Sequence, residues 1–79
     1  MNATATLEIH RHAARRAILT VDFSNGGFIL ATIEIGQQYG GPYASDEFIR
    51  AALLASAQPR ATFEAFSHGA TLSAPVAWE

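Results

Sequence analysis

The chain has 79 residues, enough for one domain, and a domain this small hides only about 60 % of the surface its unfolded form exposes. Apolar residues make up 49 % and charged residues 15 %, which supports a packed core and excludes a disordered chain. Cysteine is absent, so disulfides, thiolate metal sites and a cysteine nucleophile are excluded as well.

Small secreted domains are commonly stapled by disulfides, so their absence points to a cytoplasmic protein. Residues 1–5 lack the basic segment of a signal peptide, and apolar runs such as 28–31 are far short of the ~20 residues that cross a bilayer. The sequence therefore predicts a soluble single domain over residues 1–79 with no membrane partner. Net charge is −2 and unevenly spread. The first twenty residues set Arg11, Arg15 and Arg16 against Glu8, whereas the remainder sets Arg50 and Arg60 against Asp22, Glu34, Asp46, Glu47, Glu64 and Glu79.

Residues 4–12 read as a first strand, with Leu7 and Ile9 on one face and Thr6, Glu8, His10 and His12 on the other. The connection at 13–15 has neither Gly nor Pro. Residues 16–24 then alternate, Leu19, Val21 and Phe23 against Ile18, Thr20 and Asp22. Asn25-Gly26-Gly27 is the strongest turn signal in the chain, because these residues accept the positive φ angles of tight hairpins. Residues 28–35 form the most apolar strand, with Ile29, Ala31, Ile33 and Ile35 on one face and Phe28, Leu30, Thr32 and Glu34 on the other. Apolar residues on both faces predict a central position in the sheet.

Residues 36–44 (GQQYGGPYA) read as a loop. Ser45 has the character of an N-cap, with Asp46 and Glu47 in the first turn, where the helix dipole favours carboxylates. The helix is expected to run to about residue 57 and to stop before Pro59, burying Phe48, Ile49, Ala52, Leu53 and Ser56. Residues 60–67 read as a fourth strand, 68–70 as a turn and 71–78 as a fifth strand, placed at an edge by Pro75. The expected fold is α+β: an antiparallel sheet of four to five strands with one helix packed on a face, in the order β-β-β-α-β-β.

No catalytic constellation emerges. His10 and His12 share a strand face, but a zinc site needs a third or fourth protein ligand, and the spacing recruits neither Glu8 nor His68. None of the five serines sits in a nucleophile elbow, and Ser45 is explained as a cap. Gly26-Gly27 and Gly40-Gly41 lack the Gly-Lys-Ser/Thr of a phosphate loop. The reading is of a non-enzymatic protein with no metal and no cofactor. The acidic set Glu34, Asp46 and Glu47, near Tyr39 and Tyr43 in sequence and with Asp22 expected on the strand beside Glu34, suits an arginine- or lysine-lined partner surface.

Gly26-Gly27-Phe28, then Glu34, then Gly36-Gln37-Gln38-Tyr39, with the acidic helix start Asp46-Glu47-Phe48, resembles part of a family of short phage-encoded anti-CRISPR proteins that inhibit type I surveillance complexes. In that family a hairpin strand also begins Gly-Gly-Phe, ends in an acidic residue and runs through Gly-Gln-Gln-aromatic toward an acidic helix. The resemblance spans residues 26–48. It implies a protein-binding inhibitor that obstructs target DNA recruitment without catalysis in the cytoplasm of a bacterial host cell. The implied contact residues are Glu34, Tyr39, Tyr43, Asp46 and Glu47. Gly40-Gly41-Pro42 stands where the family has further carboxylates, and the family's second helix has no counterpart in the predicted elements.

Two other readings stay open. One is a small nucleic-acid-binding or regulatory domain that uses Arg11, Arg15 and Arg16. The other is an interaction module that pairs through a sheet edge, which makes the expected state a monomer or a weak homodimer.

Overall fold

The computed structural model of the chain describes residues 1–10, 16–36, 39 and 44–78. The expected connection at 13–15 and most of the loop at 36–44 lie outside the described residues. Strands β1 (Asn2–His10), β2 (Arg16–Phe23) and β3 (Phe28–Glu34) form an antiparallel meander with β2 in the middle. Period-2 alternation sends Ala3, Ala5 and Leu7, with Ala17, Leu19, Val21, Phe23 and Ile33, to one buried face. The β2–β3 hairpin turns at the predicted residues. The Gly26 N–H donates to the Phe23 carbonyl (3.0 Å), the Phe23 N–H donates to the Gly27 carbonyl (2.8 Å), and Gly26 takes φ +93°. Asn25 Oδ1 accepts from the Gly27 N–H at 2.9 Å, which explains the Asn before the glycine pair.

One helix follows, α1 (Asp46–Ser67). Its start is as expected: Ser45 Oγ accepts from the Phe48 N–H at 3.2 Å, and Asp46 and Glu47 occupy the first turn. Its length is not. Pro59 lies inside the helix, and residues 60–67, expected as a strand, are its last two turns. The buried positions explain why: Ile49, Leu53, Ala57, Ala61 and Ala65 recur every four residues in one unbroken stripe. Pro59 sits on the exposed side, where the Ala55 carbonyl it leaves without an N–H partner can reach water. Of the expected buried stripe, Ile49 and Leu53 are buried and Ala52 partly so, whereas Phe48 is 54 % exposed and Ser56 is exposed.

Pro59→Ala is therefore expected to stabilise the protein by about 1–2 kcal/mol, less than the full helix penalty of Pro because Pro also restricts the unfolded chain. A melting temperature equal to or below that of the parent protein would show that the helix is adapted to the missing bond.

The helix ends in a Schellman cap. The Ala70 N–H donates to the Ala65 carbonyl (2.8 Å), the Gly69 N–H donates to the Phe66 carbonyl (2.9 Å), and Gly69 takes φ +72°. The turn expected at 68–70 exists, but it closes a helix and not a hairpin. The chain then enters β4 (Thr71–Leu72) and β5 (Ala77–Trp78), where a single fifth strand over 71–78 was expected. Both pair with β1 in parallel, Asn2 with Thr71 and Leu7 with Trp78, so the sheet is mixed and not purely antiparallel.

The reason is length. A helix of 22 residues spans about 33 Å, about the reach of the nine-residue β1, so it carries the chain back to the end from which β1 starts. Pro75 interrupts the returning segment at the sheet edge, as expected, and the bridge is held by polar contacts. The Ser73 hydroxyl donates to the Ala3 carbonyl (2.8 Å), and the Val76 N–H donates to Gln58 Oε1 (2.8 Å).

The strand order is β3-β2-β1-β4, with β5 also on β1. Among the described residues β3, expected in the centre, is an edge strand. The architecture is otherwise the expected one, an α+β domain in the order β-β-β-α-β-β. Its core joins Leu7, Leu19, Val21 and Leu53, all fully buried, to a layer of alanines that lets the helix lie close to the sheet.

Candidate interaction surfaces

The registers place Glu34 at one end of the sheet. His10 of β1 aligns with Arg16 of β2, and Arg16 aligns with Glu34 of β3, so these three form the last row of the sheet. The helix ends at the opposite extremity, because Thr71, just past its cap, pairs with Asn2. Its first turn therefore returns to the Glu34 end. Two contacts agree with that direction. The His68 ring, at the helix C-cap, lies 5.3 Å from the Phe23 ring beside the hairpin turn. Near the other end the Arg50 guanidinium lies 5.7 Å from the centre of the Trp78 ring, a residue aligned with Leu7.

Glu34, Asp46 and Glu47 are exposed at this end. Each is fixed by local structure: Glu34 closes β3, and the two helix residues follow the Ser45 cap. The end is not uniformly acidic. Arg16 lies across from Glu34, and Glu8 Oε2 lies 3.8 Å from His10 Nε2. Asp22 lies on β2, the strand beside Glu34 as expected, but it aligns with Phe28, six residues or about 20 Å along β2 from that row.

Tyr39 departs from its expected role. It is 8 % exposed and belongs to the core, with its N–H donating to the Gly36 carbonyl (3.0 Å), so its ring packs the domain and is not offered to a partner. Tyr43 lies outside the described residues, as do Arg11 and Arg15; of the basic cluster only Arg16 is described, and it is exposed.

Among the described residues no polar or charged side chain is buried, and no group of three His, Asp or Glu is placed to hold a metal ion. His68 stands at the far end from His10, which removes it as a third ligand. An open apolar groove between α1 and residues 75–76 is lined by Ala51, Leu54, Ala55, Pro75 and Val76. The polar side chain there, Gln58, accepts the Val76 N–H. No described helix is long and apolar enough to cross a membrane.

One surface escaped the sequence reading. The sheet face turned away from the helix carries Thr4, Thr6, Thr20 and Thr32 with Ile18, and at its edge Phe28 and Leu30 are 62 % and 59 % exposed. Their apolar character is visible in the sequence, where it predicts a central strand. No family model, no curated protein and no solved structure matches the chain.

Proposed function

We propose that the chain is a protein-binding inhibitor that acts without catalysis on a type I CRISPR surveillance complex and obstructs its recruitment of target DNA. The observation that carries the binding reading is the exposed carboxylate set Glu34, Asp46 and Glu47 at one end of the domain. A groove that holds a DNA backbone presents Arg and Lys to phosphates. Carboxylates fixed by a strand end and a capped helix meet such a groove at a low ordering cost. The choice of target rests on the resemblance over residues 26–48.

The test is a pull-down against purified type I surveillance complexes, with target DNA binding measured alongside. Retention of the chain together with loss of DNA binding is the expected result. If no complex retains it, the target is wrong. The chain alone is expected to give no mobility shift with DNA at sub-micromolar protein and physiological salt, because its net charge is −2 and Arg16 sits opposite Glu34. A clear shift would move the assignment to a nucleic-acid-binding domain working through Arg11, Arg15 and Arg16.

A further inference from the structure

We infer that β3 is the interface of a weak, two-fold symmetric homodimer in which the β3 strands of two copies pair antiparallel about Ala31 and join the two meanders into one continuous sheet. The inference goes beyond the proposed function and stands without it.

The two edges of the sheet differ. On one side β4 and β5 have two residues each and flank Pro75, the short and proline-marked form that blunts an edge. On the other, β3 has seven residues, FILATIE, with no lysine and no proline, and its register to β2 runs from 28 to 34 without a bulge. Among the described residues no strand pairs with its outer side. A long, flat, apolar edge of this kind is a template for another strand.

The hydrogen-bond phase shows what that edge offers. The Phe23 N–H bonds the Gly27 carbonyl, and antiparallel pairs alternate between bonded and non-bonded, so Ile29, Ala31 and Ile33 direct their N–H and C=O groups to β2. Phe28, Leu30, Thr32 and Glu34 direct theirs outward. A second copy supplies the matching set, since two antiparallel strands bond when residues of the same parity face each other.

The register that pairs all seven residues puts the symmetry axis at Ala31. Phe28 then faces Glu34 of the second copy, Leu30 faces Thr32 and Ile29 faces Ile33. The two Glu34 carboxylates lie at opposite ends of the joint, so no like charges meet across it. Ala31 meets its own copy at a close, non-bonded position, where Cα atoms approach to about 4.5 Å and a small side chain fits. The exposed Phe28 and Leu30 and the half-buried Ile29 and Ala31 are the side chains this joint covers. The helix packs against β1, β2 and β4, so the two helices stay about 19 Å apart, four strand spacings, and clear each other. A single seven-residue edge is smaller than the roughly 800 Å² per partner of a standard interface, so the dimer is expected to be transient.

Sedimentation equilibrium over a wide concentration range is expected to show a reversible monomer–dimer equilibrium for the unmodified chain. Thr32→Pro removes an outward N–H that the ladder to β2 does not use, and Leu30→Lys puts a charge on the edge. Each is expected to weaken the dimer at least about tenfold, with far-UV circular dichroism unchanged. Because the chain has no cysteine, Ala31→Cys gives a direct reading of the register: the thiols face each other across the axis within disulfide range. Rapid disulfide dimer formation is expected for Ala31→Cys and not for Leu54→Cys on the exposed side of the helix. A chain that stays monomeric at every concentration overturns the inference. So does a dimer that survives both edge variants but is lost on Phe66→Lys, or an Ala31→Cys protein that crosslinks no faster than the Leu54→Cys control.

Discussion

Replacing Leu53 by alanine is expected to cost about 2–5 kcal/mol. Leu53 is fully buried and lies near the start of the helical stripe that runs from Ile49 to Ala65, in the same cluster as Leu7, Leu19 and Val21. The space it leaves is hard to fill. Its neighbours along the stripe toward the helix C-terminus are alanines, which have no rotamers to swing inward, and the strand residues opposite are held by the ladder register. A chain of 79 residues has a total stability of about 4–12 kcal/mol, so the variant should sit close to the unfolding threshold. Urea denaturation followed by circular dichroism measures the change directly. A loss below about 1 kcal/mol would mean that the cavity collapses, which the alanine-lined packing does not allow.

The first half of the fold was legible because its signals are local. Alternation in β1 and β2 separated the buried face from the open one, and Asn25-Gly26-Gly27 located the hairpin because a positive φ at Gly26 has few other solutions. The Ser45 cap was read correctly for the same reason: one side chain, three residues from its partner N–H. The second half failed where a local rule met a tertiary one. Pro59 is a strong stop signal in an isolated helix, but here it falls on the solvent side of a helix whose far half packs through Ala57, Ala61 and Ala65. Alanines carry little hydrophobic signal, so the four-residue spacing that continues the helix past Pro59 is faint in the sequence. In the structure Phe63 and Phe66 are 67 % and 80 % exposed, so the aromatic residues mark the outside of the helix and the alanines its inside.

The parallel pairing of β4 and β5 was not legible at all. It depends on where a 22-residue helix delivers the chain, and no residue in 71–78 encodes that. The edge position of β3 was misread for a different reason. Apolar residues on both faces of a strand point to cover on both sides, but Phe28 and Leu30 stay exposed on the open face of β3. For the candidate site, the carboxylates were placed by strand end and cap, both local features, whereas the burial of Tyr39 is a tertiary one. Glycines and glutamines around a tyrosine look like an exposed loop, and only the packed domain shows the ring turned inward.

Reversing the helix-start charges, Asp46→Arg together with Glu47→Arg, is expected to weaken binding to a surveillance complex about tenfold or more, on the reading that these carboxylates face a groove built for phosphate. The change replaces two negative charges with two positive ones at the end of the domain where Glu34 also lies, so the contact becomes repulsive and not merely weaker. The fold should survive: both residues are exposed, and the Ser45 cap and the buried stripe are untouched. Some stability will go, since arginines at a helix N-terminus oppose its dipole, and circular dichroism should be recorded on the same preparation. Arg16→Glu is the matched control. It alters charge at the same end, in the row shared with Glu34, but adds to the carboxylate surface and should leave binding intact or tighten it. Binding that persists in the doubly reversed protein and disappears in Arg16→Glu would assign the contact to the basic residues and remove the carboxylates from the site.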